Sequence, residues 1–368
     1  MGTAETPRHG PSGGGFSAVS SQPLELAWFA ALCDDDYELL GAPESLRPSS
    51  VAHCQEIVTE AEVQGFDAIL LPSGYELGID ALTFAATLGS LTTSIRPLVA
   101  IRCGELWPPQ LARQLASLDE ILGGRLLVNI ISSDLPGETL SGADRYGRSL
   151  EVMQSLRGLF AQSEIAHHGP AYQFRVKSPR IVRERNVCPA LYFGGLSEEA
   201  RELAAQEADV YLMWPDTEEK VIDIVEDIKR RSALHGRSIR FGYRVHVIVR
   251  ETEEEARDAA TRLISAVSDE AGAAIQARSL DATSVGVNRQ GELRAEADND
   301  GYVEPNLWTG IGRARSGCGA AIVGNPQQVA AKIERYREIG IDSFIFSGYP
   351  HREECQRFGE LVMPLLRR

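Results

Sequence analysis

Arg244 and His246, in the apolar run IRFGYRVHVIV (239–249), pose the first chemical question. They are two positions apart, so in a strand both side chains leave the same face. Gly242 leaves room beside them, and Val245 and Val247 take the opposite face. A guanidinium and an imidazole inside a core are costly unless a partner or a ligand satisfies them. Either an anion binds there, or the two form a buried ion pair with an acidic residue of a neighbouring segment. Ser347-Gly348-Tyr349-Pro350-His351 adds a phenol and a second imidazole; taken alone it also reads as a helix-capping loop with an exposed histidine. Arg313 and Arg315 stand among glycines in 301–320, either in a loop that folds over an anion or in a solvated turn. Asn129, Ser132 and Ser133 close one apolar run, and Gly194, Gly195 and Ser197 close another. Backbone amides at the helix start beside Ser197 suit a phosphate; equally, Ser197 is a simple cap.

Other chemistries find no support. There is no HExxH, CxxC, Walker loop or G-x-S-x-G, so neither a metal site nor a serine hydrolase is indicated. Cysteines 33, 54, 103, 188, 318 and 355 lack metal-site spacing and read as reduced thiols of a cytoplasmic protein. A net charge of −15 argues against nucleic acid as a partner. It leaves room for a small anion in a locally cationic pocket. No apolar stretch reaches the roughly 18 residues of a membrane span, and residues 1–23 read as a flexible tail without a signal-peptide core.

The elements that must position these groups follow from hydropathy. Eight short apolar runs, 24–30, 67–72, 95–102, 126–132, 189–195, 209–214, 239–249 and 342–348, alternate with helical patterns. This is the signature of an α/β protein, a (β/α)8 TIM barrel, over a single domain 24–368. An open doubly wound sheet would want a glycine-rich fingerprint after the first strand, where the chain instead reads Cys33-Asp34-Asp35-Asp36. In a closed barrel the seventh and eighth strands are neighbours, so their C-terminal ends bring Arg244, His246, Tyr349 and His351 to one rim. Residues 133–188 and 250–325 are too long for simple connections and are expected as insertions after the fourth and seventh strands. The second is expected to hold a helix over 253–279. It is also expected to carry a polar run, 286–301, that is mobile without ligand, within a lid around 280–320.

The stretches ALYFGG, SEEARELAAQEADVYLMW, HGRSIRFGYRVHVIVRETEEEA, PNLWTGIGRARSGCGAAIVG and GIDSFIFSGYPHREE carry a more specific signal. From about residue 24 to its end the chain resembles the bacterial luciferase-like flavin monooxygenases, in their alkanesulfonate monooxygenase branch. The resemblance implies a two-component system. A separate NAD(P)H-dependent flavin reductase supplies FMNH2. With O2 as cosubstrate the enzyme breaks a carbon–sulfur bond of a small anionic sulfonate, releasing sulfite and an aldehyde. It implies a homodimer or homotetramer. It assigns catalytic roles to Arg244, His246, Tyr349 and His351, and substrate contacts to Arg244, His246, Arg315 and Trp214. It maps the flavin near Asn129, Ser132, Tyr146, Gly195 and Ser197. Two loops depart from the branch. Its P-T-H-G-D-G stretch after the first strand is replaced by Ala31-Leu32-Cys33-Asp34-Asp35-Asp36, which puts Cys33 at the substrate. Its cysteine after the second strand is missing from 73–80. Acidic groups suit hydroxyls better than an alkyl chain, because carboxylates accept hydrogen bonds from them. The expected substrate is therefore a sugar sulfonate such as sulfoquinovose, giving 6-oxo-glucose. Simple alkanesulfonates, a sulfone or another non-sulfonate substrate, and a barrel that only binds flavin are the alternatives.

Overall fold

The computed structural model describes residues 23–76, 78–268, 270, 272–274, 284–315 and 317–367. Positions 1–22 of the expected tail, and 280–283 and 316 of the expected lid, lie outside the described residues. Among the described residues eight parallel strands close a barrel. They are β1 (Glu25–Phe29), β2 (Ala68–Leu71), β3 (Arg96–Arg102), β4 (Leu127–Ile131), β5 (Ala190–Phe193), β6 (Val210–Met213), β7 (Arg240–Val249) and β8 (Ser343–Ser347). The sheet runs 6-5-4-3-2-1-8-7, and pairing of β6 with β7 from Val210↔Arg240 to Met213↔Tyr243 closes it. Each of the eight apolar runs became a barrel strand.

Helices follow the strands: α1 (Val51–Val63), α2 (Ala81–Leu91), α3 (Pro108–Ile121), α4 (Gly142–Ala161), α5 (Glu198–Glu207), α6 (Glu218–Leu234), α7 (Pro326–Ile339) and α8 (His351–Leu361). Ser50, Asp80, Ser141, Ser197, Thr217 and Asn325 start six of them by accepting a hydrogen bond from the amide three residues on. Strand alternation then sorts the core. Trp28, Ile69, Val99, Val128 and Phe344 face outward beneath the helices, and Ala27, Phe29, Leu70, Leu98, Leu127, Tyr192 and Ile345 fill the barrel. At the N-terminal end of the barrel, Glu25 accepts from Tyr192 (2.6 Å) and Ser343 (2.7 Å) and faces Arg96 and Arg240 at 3.5 and 3.8 Å. No described helix is long and apolar enough to cross a membrane.

The insertions differ from expectation in detail. After β4 the helix starts at Gly142, earlier than its apolar pattern suggests, because Ser141 caps it. An antiparallel hairpin, Glu164–His168 with Gln173–Lys177, follows. It buries little on one face, so its alternation is faint in the sequence. After β7, the helix expected over 253–279 is described over Glu253–Leu263, turns at 264–267, where the Val267 amide returns to the Ile264 carbonyl, and is helical again at 270 and 272–274; 269, 271 and 275–279 lie outside the described residues. The polar run 286–301 is not an open stretch throughout: most of it lies in a helix, Val285–Ala295. Its charges are paired inward: Arg289 grips both oxygens of buried Asp216 at 2.7 Å, and Gln290 bridges the Pro215 carbonyl and the Gly319 amide. Strand β7, ten residues long, outruns the barrel. Its upper half pairs with Ala321–Gly324, from His246↔Ala321 to Val249↔Gly324, and this pairing anchors the returning insertion.

Candidate active site

Inward-facing positions of β7 are fixed by register: Gly242 is opposite Ser343, Arg244 opposite Ile345 and His246 opposite Ser347. Arg244 is 5% exposed. Its guanidinium lies over the Phe29 ring, 4.6 Å from the centroid, and donates to the Val245 carbonyl. Among the described residues no carboxylate forms an ion pair with it. The structural ion pair that the sequence left open is therefore not formed among the described residues. Burial pulls the Arg244 guanidinium below its usual range, yet arginine keeps its proton in proteins. An unneutralised buried cation at a strand end calls for an anionic ligand.

The neighbouring groups are also incompletely bonded. His246 meets the Ser347 hydroxyl through Nδ1 at 2.7 Å and leaves Nε2 without a partner. Burial first, and then the charges of Arg244 and Arg315, drive its pKa well down, so the ring is neutral. Tyr349 stacks on His246 at 5.4 Å, and its hydroxyl has no partner. His351 is fully buried at the start of α8, against Phe29 and Tyr349, with both ring nitrogens unbonded. It is not an exposed loop histidine. Burial raises the Tyr349 phenol and lowers the His351 imidazole, keeping both neutral. Arg315 reaches in from the insertion to Asp35 at 3.2 Å. Arg313 instead is exposed and donates to the Val267 carbonyl, the solvated-turn alternative. Cys33 is partly exposed; burial pushes its thiol up, with Asp35 acting the same way and Arg315 and Arg102 against, so it too is neutral.

The three consecutive aspartates divide their work. Asp34 accepts from the Ser49 amide at 2.7 Å and shapes the loop. Asp36 is fully buried; it accepts from the His351 amide at 2.9 Å and meets His53 Nε2 at 2.9 Å. Only Asp35 is left with a buried oxygen, Oδ1, free of any partner. Hydrophilic composition alone could not distinguish the three.

The Asp36–His53 contact makes a pH prediction. Burial opposes the Asp36 charge, but the His53 bond and the His351 contacts outweigh it and hold the carboxyl below 3.8. The Asp36 bond raises His53 above 6.5. Stability from His53 is thus full below 6.5 and lost as pH rises through its elevated folded pKa. Stability from Asp36 is present above 3.8 and lost as pH falls through its depressed one. The clasp on the His351 loop is strongest between the two. An NMR titration is expected to place the His53 midpoint above 6.5; a midpoint at or below it contradicts the clasp.

At the ends of β4, β5 and β6, a cavity of ≈ 240 Å³ is lined by Asn129, Ser132, Arg145, Tyr146, Gly195 and Trp214, among others. Gly194 allows its narrow wall: a Cβ there would stand 2.0 Å from the Leu212 carbonyl oxygen. Gly286 and Gly317 of the insertion press against the Trp214 ring, since a Cβ on either would lie 3.0 or 3.3 Å from it. The buried Ser133 hydroxyl has no partner. Glycine walls, three aromatic residues (Tyr146, Tyr211 and Trp214) and scattered polar groups suit a flat, partly polar ring system such as a flavin. Ser197 does not line this cavity; its hydroxyl accepts from the Ala200 amide at 3.2 Å as an ordinary cap. Sequence reasoning missed Arg102, the last residue of β3, which is 4% exposed with two guanidinium nitrogens unbonded. Its signal was its place: a cation ending an apolar barrel strand.

A closed (β/α)8 barrel with uncompensated cations, imidazoles and a phenol at the C-terminal rim belongs to the TIM-barrel enzymes. The chain belongs to the luciferase-like monooxygenase family, whose profile matches residues 36–343. It is 56% identical over 353 residues to a sulfoquinovose monooxygenase of Novosphingobium aromaticivorans, covering 94% of this chain and 98% of that protein. It is 49% identical to a sulfoquinovose monooxygenase of Agrobacterium fabrum, covering 93% and 90%. Among solved structures, a riboflavin lyase with modified FMN and riboflavin superposes with a TM-score of 0.74 at 17% identity, covering 94% and 92%. That likeness speaks to the fold.

Proposed function

We propose that this protein is the oxygenase of a two-component system that converts sulfoquinovose, O2 and FMNH2 into 6-oxo-glucose, sulfite, FMN and water. The single observation that carries the reading is Arg244: a buried guanidinium with no carboxylate partner among the described residues, beside a neutral His246 whose Nε2 is free among them. The names of the two relatives at 56% and 49% identity support the sugar sulfonate.

Reduced FMN from a separate NAD(P)H-dependent reductase would supply the electrons for O2 activation. Asn129, Ser132, Tyr146 and Gly195 would hold it in the cavity, with Trp214, expected at the substrate, on the same lining. The Arg244 fork binds the sulfonate oxygens as a donor-only partner. His246, its Nδ1 set by Ser347, presents Nε2 to the same anion. Arg315 closes from above, parked on Asp35. Tyr349 and His351, neutral and unbonded, face the carbon that loses sulfur and can polarise or move a proton there. Phe29 floors the site and, with the insertion, excludes water.

The test is sulfite release with a flavin reductase, NADH, FMN and air. Sulfoquinovose is expected to give sulfite. Release from alkanesulfonates alone would overturn the substrate, and oxygen consumption without sulfite from any sulfonate would overturn the reaction.

A further inference from the structure

We propose that Asp35 and Arg102, on the β1–β3 side of the barrel mouth, form a hydroxyl clamp, which selects a polyhydroxylated sulfonate over an alkyl one. The inference rests on the sulfonate reading above.

Arg102 continues the inward face of β3 after Leu98 and Ala100. Its Nη2 donates to the Ser73 carbonyl at 3.3 Å. Its Nε stands 3.4 Å from Glu105 without the geometry of a hydrogen bond, and its Nη1 has no partner. Asp35, 5% exposed in the loop after β1, uses one oxygen on Arg315 and leaves Oδ1 free. Arg102 is tied to Ser73 in the loop after β2, and that loop joins the loop after β1, where the Ile79 amide donates to the Leu32 carbonyl at 2.9 Å, so the two groups stand on adjoining loops.

The chemistry of that neighbourhood is not that of an anion site. A sulfonate only accepts hydrogen bonds, and a carboxylate repels it. A free carboxylate oxygen on one loop and free guanidinium N–H groups at the adjoining strand end are both satisfied by groups that donate and accept, which are hydroxyls. Adjacent ring hydroxyls meet both. An alkyl chain meets neither and leaves two buried polar groups unpaired, the situation in which enzymes discriminate most strongly.

Topology supports the division. β3 stands across the barrel from β7, four strands away in either direction around the closed sheet. A sulfonate held on Arg244 and His246 therefore points the rest of its molecule toward β1–β3. The cavity assigned to the flavin occupies β4–β6. Each wall of the mouth then has a separate task.

The experiment compares Asp35→Asn and Arg102→Met with the wild type on sulfoquinovose and on hexanesulfonate, with FMN binding and thermal unfolding measured alongside. Arg102→Met is expected to lose about 30-fold or more in kcat/KM for sulfoquinovose, mostly through KM, while hexanesulfonate changes by less than about 3-fold; Asp35→Asn, which also weakens the hold on Arg315, is expected to lose on both but at least about 10-fold more on sulfoquinovose. Equal losses on both substrates, or no loss on sulfoquinovose, would overturn the clamp. Should either variant misfold, wild-type protein with sulfoquinovose deoxygenated one position at a time keeps the question open to refutation: at least one position must show the loss. Wild-type turnover of sulfoquinovose with insensitive variants sinks the clamp alone. No sulfite from wild type sinks the sulfonate reading, and the clamp with it.

Discussion

Arg244→Met is expected to lower sulfite release by about 10²–10³-fold while flavin binding stays within roughly two-fold. Arg244 is the buried cation closest to being a ligand site by default: among the described residues no carboxylate pairs with it, and Phe29 shields it from below. Methionine keeps the length and the apolar stem but removes every donor. The loss is expected in both kcat and kcat/KM, because the fork would hold the departing sulfite, whose negative charge grows as the bond breaks, more strongly than the sulfonate. Arg244→Lys should fall between, since a point charge cannot replace a planar fork. Steady-state sulfite release with FMN titration checks this. Full activity in Arg244→Met would remove Arg244 from the site. A parallel collapse of flavin binding would reassign it to the cofactor.

The second large effect is on stability and lies at the other end of the barrel. Glu25→Ala is expected to cost about 2–3 kcal/mol, seen as a fall in Tm of roughly 5 °C or more. Glu25 is 8% exposed and ties β1 to Tyr192 of β5, Ser343 of β8 and the guanidinium groups on β3 and β7. Alanine removes the acceptor for two buried hydroxyls and leaves two cations facing each other across the barrel floor. The cost stays moderate because Arg96 and Arg240 are partly solvated and Arg240 keeps Asp342. Glu25→Gln, which still accepts from both hydroxyls, should lose less. Sulfite release per folded molecule should be preserved, because Glu25 sits at the strand starts and the site at their ends. Thermal unfolding followed by circular dichroism tests the shift. An unchanged Tm would mean that the cluster adds nothing over its solvated alternative.

What the sequence alone determined was everything governed by local periodicity. Eight apolar runs define eight strands whatever surrounds them, since only buried parallel strands keep such short continuous hydropathy. The two-residue spacing of Arg244 and His246 places both on one face, and the order of the strands makes β7 and β8 neighbours once the sheet closes. The rim with Arg244, His246, Tyr349 and His351 was therefore readable. Long-range pairing was not. Nothing local distinguishes Asp34, Asp35 and Asp36, yet Asp36 is turned inward by His53 and the His351 amide, and only Asp35 is left with a free oxygen. The polar run 286–301 looks solvated because its partners, Asp216 and the Pro215 carbonyl, lie some 70 residues back in the chain. Arg102 is one more arginine until the barrel closes and buries it without a full set of partners. Which polar groups end up satisfied, and which remain free for a ligand, depends on contacts between distant segments, and those exist only in the tertiary structure.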